Sequence, residues 1–329
     1  MQIASSSFHS INVTCIDVDA YLPTSTDSDS TDSNFQHLLS LLQTEEQVRV
    51  KKFRHKIDKY RSLTGRILLQ SMANRALNVP WNDLQFKRTE ENKPYLFYPK
   101  RNGFNLNVSH HGKWVAGACD DRVLVGIDVM RYERPRGCKS IPDFFNTMRQ
   151  YFTLYEWNDI EHTTATTTAA TTNVATTTST TNNNNSTSND KTTSQETTET
   201  TNTLELSQLR QFYKHWALKE SYIKAVGIGL GFELSRAEFR FLNEDRDAML
   251  AVMYIDGILQ KEWTFTLYEP DVEHCVVVAL GPLKEATPHF LDVLTPLPEQ
   301  DGEIEAIATT LSLTFDIKCV DELVDRDGK

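Results

Sequence analysis

The sequence predicts an α+β protein. Three observations lead to this fold class: helical and strand-like segments occur in mixed order, strand–helix–strand units do not recur, and the predicted strands are short and look antiparallel. Apolar residues make up 39% of the 329 residues, which is enough for a packed core. A chain of this length is expected to form about two domains. The longest apolar runs fall far short of the roughly 20 residues that a membrane helix needs, so we expect no membrane span.

The first elements follow from the apolar periodicity. Residues 11–18 alternate between apolar and polar side chains, which predicts a strand, and residues 27–34 form a polar loop. Thr44 is a suitable N-cap for a helical region that continues to about residue 77. The N-terminus lacks the basic and apolar regions of a secretory signal.

The middle and end of the chain alternate between strands and helices. Strands are predicted at 104–108 and 114–119 on either side of a polar turn, and the apolar run 123–129 has the length of a buried strand. Residues 144–152 and 207–226 are predicted helices. Later strands are predicted at 237–242, 250–255, 263–267 and 275–280.

One internal segment and the C-terminal end differ in composition from the rest. Between residues 163 and 203, 20 of 41 residues are Thr, with 7 Asn and 4 Ser. Such a segment buries too little apolar surface to offset the cost of ordering its backbone, so we expect a disordered insertion there. From about residue 283 the chain mixes Pro, Glu and Asp with short apolar groups, and we interpret it as an extension.

Charge and cysteine content exclude several classes of protein. The net charge of −11 argues against nucleic-acid binding over the whole chain. The five cysteines are scattered and contain no C-x-x-C pair, so neither a disulfide framework nor a zinc site is expected, and a reducing cytosol is the default. Residues 49–61 carry seven Lys or Arg against one Asp. That run is either a solvated helix face or a binding surface for a polyanion or an acidic protein.

The first chemical cluster is Asn107-Val-Ser109-His110-His111-Gly112, preceded by Lys93-Pro94. A polar turn between two strands can present the Ser109 hydroxyl and the His110 imidazole to a phosphate oxygen. The alternative is an ordinary hairpin turn rich in turn-forming residues.

The second cluster is Gly126-Ile-Asp128-Val. An Asp in an apolar strand is costly to bury unless it is paired or binds a metal. Asp128 is therefore either a ligand of a hard cation such as Mg²⁺ or a hydrogen-bonded structural residue.

The third cluster lies on the helix predicted at 207–226. Residues 212, 216, 220 and 224 are spaced by four and share one face. Glu220 and Lys224 either form an ordinary surface ion pair or act as a metal ligand or base and a phosphate clamp, respectively. The Gly227-x-Gly229-x-Gly231 run follows this helix instead of preceding one, which favours a C-cap over a nucleotide-binding loop.

In this order the clusters resemble the 4′-phosphopantetheinyl transferase family, and most closely its eukaryotic aminoadipate-semialdehyde dehydrogenase branch, itself similar to the bacterial surfactin-synthetase-activating class. The motifs that carry the resemblance are Lys93-Pro94, Asn107-Val-Ser-His110, Gly126-Ile-Asp128-Val-Met130, Trp216-Ala-Leu-Lys219-Glu220-Ser-Tyr-Ile-Lys224 and Tyr60-Arg-Ser-Leu-Thr-Gly65-Arg66. The similarity spans roughly residues 44–280 without the Thr/Asn segment.

The resemblance implies a fold and a reaction. The fold is a pseudo-dimer of two similar α+β subdomains, with the active site in the cleft between them. We place these subdomains at 1–130 and 131–285, the second interrupted by the insertion at 163–203 and followed by an extension at 286–329. A serine hydroxyl of an acyl, peptidyl or aminoacyl carrier domain attacks the β-phosphorus of coenzyme A. The serine gains the phosphopantetheine arm, and adenosine 3′,5′-bisphosphate leaves.

The resemblance also assigns residue roles. Asp128 and Glu220 would hold Mg²⁺, and Glu220 would also accept the serine proton. Lys224 would offset charge on the phosphates. The positions that match coenzyme A contacts are Arg49, Arg88, Lys93, Asn107, Ser109, His110 and Lys224. Met130 departs from the bacterial pattern, which has a second acidic residue there, and water or a group near His111 could take that coordination position.

The resemblance leaves the acceptor open among carriers of fatty acid synthases, polyketide synthases and aminoadipate reductases. We expect a cytosolic monomer that binds neither nucleic acid nor membrane. The alternative is a relative that binds coenzyme A or a carrier domain without catalysing transfer.

Overall fold

The computed structural model of the protein describes residues 10–22, 32–163, 192–243, 248–295 and 312–324. The first half contains the helices α1 Ser33–Ser40, α2 Thr44–Lys51 and α3 Lys56–Leu77. Its strands are β1 Ser10–Asp17, β2 Gln85–Arg88, β3 Pro94–Tyr98, β4 Asn105–His111 and β5 Trp114–Asp120. Strands β2 and β3 form a separate antiparallel pair.

The second half begins with β6 Val123–Arg131. Its helices are α4 Ile141–Met148, α5 Leu154–Glu161, α6 Thr192–Val226 and α7 Pro288–Leu294. Its remaining strands are β7 Ala237–Phe241, β8 Met249–Ile255, β9 Ile258–Leu259, β10 Thr264–Asp271 and β11 His274–Pro282. These strands form a sheet in the order β6-β11-β10-β8-β7, with β9 paired to β8.

Both halves have the same plan, which confirms the predicted mixed fold of two similar parts. Helix α3 packs on the sheet of the first half and α6 packs on the sheet of the second. A third apolar cluster lies between the two sheets and includes Val13, Trp114, Val125 and Val278. The sheets therefore face each other, with one long helix on each outer side.

The last described strand, β12 Ser312–Lys318, belongs to the first sheet. It pairs in parallel with β1, so the sheet order is β12-β1-β5-β4. Beyond it, Val320 and Leu323 enter the core beneath α3, where the Ser71 hydroxyl donates to the Leu323 carbonyl at 3.0 Å. The segment predicted as an extension therefore contributes a sheet strand and core residues to the first half.

Several predicted boundaries differ from the structure. Helix α1 begins at Ser33, within the predicted loop 27–34, because Asp32 caps it and its apolar residues are buried. The predicted region 44–77 is two helices, and the residue before α2 is Gln43, so Thr44 is helical and is not the cap. The pair β2–β3 was not predicted from the sequence.

The Thr/Asn-rich segment lies partly outside the described residues, at 164–191. Its last part, from Thr192 onward, is the beginning of α6, where the composition predicts a disordered insertion. Once the amphipathic part of a helix is formed, each added residue gains one hydrogen bond without a new nucleation cost, so the helix can extend into polar sequence.

Gly126 allows α6 to lie close to β6. A Cβ atom at this position would lie 1.9 Å from the Ser221 carbonyl oxygen and 2.6 Å from the Ala225 amide nitrogen. Both neighbours are helix backbone and cannot turn away as a side chain could. The Gly126 position therefore sets the distance between the strand that carries Asp128 and the helix that carries Glu220.

We expect Gly126→Ala to destabilise the protein by about 3 kcal/mol, at the upper end of overpacking effects, because α6 must move away from β6. Chemical denaturation with fluorescence detection measures the change. Gly231→Ala is the control, since its added Cβ would meet only Ile228 at an ordinary 3.4 Å. Equal stabilities of the two variants would contradict this account of the β6–α6 contact.

Candidate active site

Asp128, Ser109 and Lys224 meet where β4, β6 and α6 come together. The Lys224 Nζ atom lies 2.5 Å from Asp128 Oδ1 and 2.9 Å from Ser109 Oγ. The Ser109 hydroxyl donates to Asp128 Oδ1 at 3.0 Å and accepts from the Val129 amide at 3.2 Å. Asp128 is buried, so the ammonium and the hydroxyl compensate its carboxylate.

Glu220 lies one helical turn before Lys224, as the spacing predicted. Burial first, and then the neighbouring Asp128, raise the pKa of Glu220, while Lys224 lowers it. No described residue forms a hydrogen bond with its carboxylate. A carboxylate with a raised pKa and free oxygens has the properties of a proton acceptor or of a cation ligand.

His110 faces the same cavity from β4. It lies within the strand and not in a turn, because β4 continues to His111 and only Gly112 and Lys113 separate it from β5. Desolvation of the ring by the neighbouring protein, and then the positive charges of Lys224 and Arg61, lower the pKa of His110. The ring is therefore neutral at neutral pH, which leaves it an N–H group that can donate to a phosphate oxygen.

Glu220, Lys224 and His110 border a cavity of about 510 Å³ that both halves of the protein line. Its cationic and imidazole side chains are Arg49, Arg61, Arg66, Arg88, Lys93, His110 and Lys224. Glu91 and Glu220 are the acidic residues in its lining. A cavity with this excess of positive charge suits a ligand with several negative charges.

One carboxylate holds three arginines at the side of the cavity formed by the first half. Glu46 lies 2.5 Å from Arg66, 3.4 Å from Arg49 and 3.5 Å from Arg88. Arg66 was not identified as a site residue from the sequence, although it ends the Gly65-Arg66 motif. Arg61, also missed, lies in the basic run.

Lys93 lines the cavity but its ammonium group is buried. It donates to the Ala225 carbonyl at 3.0 Å and to the Lys224 carbonyl, at the C-terminal end of α6. Burial, together with Lys224, lowers the pKa of Lys93 to about 7. Lys93 thus links the hairpin β2–β3 to the helix that carries Lys224.

Behind α6, Lys219 forms a buried ion pair with Glu156. The Nζ and Oε2 atoms are 2.8 Å apart, and both side chains are fully buried. Glu156 also accepts from the Thr153 and Phe239 amides at 2.9 Å and 3.0 Å. Lys219 therefore points away from Glu220 and anchors α6 to α5 and β7.

The predicted site residues thus fall into two groups. The cavity lining contains Arg49, Arg88, Lys93, Asn107, His110, Glu220 and Lys224. Ser109 and Asp128 are absent from that lining and lie behind it, bonded to Lys224. Met130 packs against apolar clusters of the second half.

The pair Asp128 and Glu220 fits a divalent cation. Asp128 Oδ2 is buried without a hydrogen-bond partner, and the charge of Asp128 adds to the effect of burial in raising the pKa of Glu220. Within the described ranges, no group of three or more acidic, His or Cys side chains is arranged to hold a metal ion. A cation held here would complete its coordination with phosphate oxygens and water, as Mg²⁺ typically does.

The fold and the cavity define a protein with a strongly basic cavity between two similar halves, next to two carboxylates and a lysine. A model of the N-terminal part of 4′-phosphopantetheinyl transferases matches residues 28–122, and the model of the 4′-phosphopantetheinyl transferase superfamily matches residues 124–279. The chain belongs to this superfamily. Its members transfer the phosphopantetheine arm to carrier proteins, and this protein is such a transferase.

Individual relatives agree with this assignment. A phosphopantetheinyl transferase from Thraustochytrium is 38% identical over 239 residues, which cover 73% of this chain and 70% of the relative. The mouse L-aminoadipate-semialdehyde dehydrogenase-phosphopantetheinyl transferase is 35% identical over 246 residues, covering 73% and 67%. The Bacillus subtilis 4′-phosphopantetheinyl transferase is 23% identical over 255 residues, covering 78% and 87%.

No helix in the described part of the chain has both the length and the apolar character that crossing a bilayer requires.

Proposed function

We propose that the cavity binds coenzyme A and that Glu220, Lys224 and His110 are the catalytic residues of Mg²⁺-dependent transfer to a carrier serine. The observation that carries this proposal is the convergence of Glu220, Lys224 and the Asp128 carboxylate at one end of a strongly basic cavity. Phosphoryl transfer depends mainly on alignment and charge neutralisation, and this cavity offers groups for both.

The cavity offers a group that can accept the serine proton and groups that can stabilise the charge on the phosphates as the bond breaks. The serine oxygen forms a bond to the β-phosphorus of coenzyme A, and the bond to the bridging oxygen of the pyrophosphate breaks. Glu220 accepts the serine proton, directly or through water, because its raised pKa brings it closer to a useful proton acceptor. Lys224 and the neutral His110 donate hydrogen bonds to phosphate oxygens.

Coenzyme A is held by the basic side of the cavity. Arg49 and Arg88, which Glu46 holds near Arg66, would bind the 3′-phosphate end. Asn107 also lines the cavity, and because its Oδ1 accepts from the Ile127 amide, its side-chain NH₂ group is the part left for a polar contact. The predicted ligands Lys93 and Ser109 would reach a phosphate only by exchanging their present partners on α6 and β6.

Asp128 and Glu220 would hold Mg²⁺, which supplies charge neutralisation on the pyrophosphate when it is bound. Asp128→Asn should then abolish binding of Mn²⁺, a spectroscopic substitute for Mg²⁺, as measured by electron paramagnetic resonance without carrier. The control is Asp121→Asn, a surface residue paired with Arg101. Undiminished Mn²⁺ binding by the Asp128 variant would remove this residue from the metal site.

The acceptor we propose is a serine on a carrier domain of a fatty acid synthase, a polyketide synthase or an aminoadipate reductase. The last is suggested by the name of the mammalian relatives. One copy of the chain supplies both sides of the cavity, which supports a monomer. Free thiols at all five cysteines support a cytosolic location.

The test is to incubate the protein with each of the three apo carriers, coenzyme A and Mg²⁺, and to follow the intact mass of the carrier. We expect a mass increase of one phosphopantetheine arm on at least one carrier, lost when a chelator is added. No adduct on any carrier with any divalent metal would refute the proposed reaction.

A further inference from the structure

At one edge of β6, side chains of β4 accept the hydrogen bonds that the backbone of a paired strand would otherwise accept. On its other edge β6 pairs with β11 through its backbone, whereas toward β4 no backbone pairing occurs. Four β4 side chains instead accept hydrogen bonds from β6 amides. The pairs are Asn105 Oδ1 with the Val125 amide at 2.8 Å, Asn107 Oδ1 with Ile127 at 3.0 Å, Ser109 Oγ with Val129 at 3.2 Å and His111 Nδ1 with Arg131 at 2.9 Å.

We call these four bonds the side-chain ladder. Every rung joins residues that are 20 positions apart, and the rungs follow each other at intervals of two, which is the period of a strand. Buried amides need acceptors, and the ladder supplies them where the two sheets of the protein meet. It therefore fixes the register of one half against the other.

The register matters because the site is divided between the halves. Asp128 lies between the second and third rungs on β6, while His110 lies between the third and fourth on β4. The third rung, Ser109, also donates to Asp128. A shift of β6 along β4 would move Asp128 away from His110 and Ser109.

We propose that the side-chain ladder positions Asp128 for catalysis, and that His111, its last rung, is a positioning residue that acts through this register. The inference rests on the proposed function for Asp128. His111 does not line the coenzyme A cavity, and its Nδ1 atom accepts from Arg131 while Nε2 lies 3.6 Å from Glu133. His111 therefore acts without touching the cavity proposed for coenzyme A.

The test compares two replacements of His111. In His111→Asn the side-chain oxygen occupies the position of Nδ1 and accepts as Asn105 and Asn107 do on the same strand. In His111→Leu the acceptor is lost at similar volume. We expect kcat for carrier modification to fall about tenfold in His111→Leu and to stay within about twofold of wild type in His111→Asn. KM for coenzyme A should change less than about twofold in both.

Hydrogen exchange provides a readout that does not depend on activity. The Arg131 amide should exchange at least about tenfold faster in His111→Leu and remain protected in His111→Asn. If His111→Leu does not fold, the smaller His111→Ala takes its place. A folded His111→Asn with tenfold lower kcat, or equal kcat in the Asn and Leu variants, would overturn the proposal. Lack of transfer by the wild type would instead refute the proposed function, and the exchange data would still test the ladder.

Discussion

Glu220→Gln is expected to lower kcat for carrier modification by about a thousandfold, because the replacement keeps the shape of the side chain but can neither accept the serine proton nor share a cation with Asp128. The same change should not destabilise the fold. Burial and Asp128 raise the pKa of Glu220, so its charged form is unfavourable in the folded protein and a neutral amide removes that cost. Intact-mass kinetics and thermal unfolding measure the two effects.

The matched control for this prediction is Glu91→Gln, which neutralises the other acidic residue of the cavity lining. It should keep kcat within about threefold of the wild type, since Glu91 is exposed to solvent, which screens its charge. A Glu220→Gln enzyme with near-wild-type kcat would remove Glu220 from the reaction. A loss of activity accompanied by unfolding would leave the role to be assigned from Glu220→Asp, which keeps the charge.

Lys219→Met should give a large loss of stability, about 3–5 kcal/mol, because it leaves the Glu156 carboxylate buried without its cation. Urea denaturation followed by circular dichroism measures the loss. The double variant Lys219→Met, Glu156→Gln should recover part of it, since the buried charge is then removed. A double-mutant cycle gives the coupling between the two residues.

Lys214→Met serves as the control on the same helix. Lys214 lies 3.4 Å from Glu269, but that carboxylate also pairs with Arg210 at 2.6 Å and therefore keeps a cation when Lys214 is lost. We expect a loss of about 1 kcal/mol or less. If Lys214→Met and Lys219→Met lowered the free energy of unfolding by similar amounts, the buried Lys219–Glu156 pair would not stabilise α6 more than the Lys214–Glu269 pair does.

The spacing of residue types along the sequence was sufficient to predict much of the fold and of the site. The spacing of four between Glu220 and Lys224 placed both on one face of α6, and the apolar run around Asp128 predicted the buried strand β6 correctly. The mixed order of helices and strands predicted the α+β class. These features depend on residues that are close in sequence, where periodicity is informative.

Long-range contacts could not be predicted in this way. The parallel pairing of β12 with β1 joins residues about 300 positions apart. The motif with Ser109 and His110 was placed in a turn because its residues are polar, whereas in the structure Ser109 and His111 accept from amides of β6 and His110 faces the cavity. A polar strand face is satisfied only by its neighbour, and a single sequence does not reveal the neighbour.

The burial of Lys93 likewise could not be predicted from the sequence. The resemblance assigns Lys93 to a coenzyme A contact, but here the hairpin β2–β3 brings its ammonium to the end of α6. The carbonyl groups at a helix C-terminus attract a cation, which accounts for this placement.

The pairing of β12 with β1 has a consequence for synthesis on the ribosome. Strand β1 needs β5 on one side and β12 on the other, and Leu323 fills the space beneath α3. Domains that are complete at their N-terminal end can fold while the rest of the chain is still being made. In this protein the first half lacks an edge strand and part of its core until the last described residues leave the exit tunnel. The half that is synthesised first is therefore completed last.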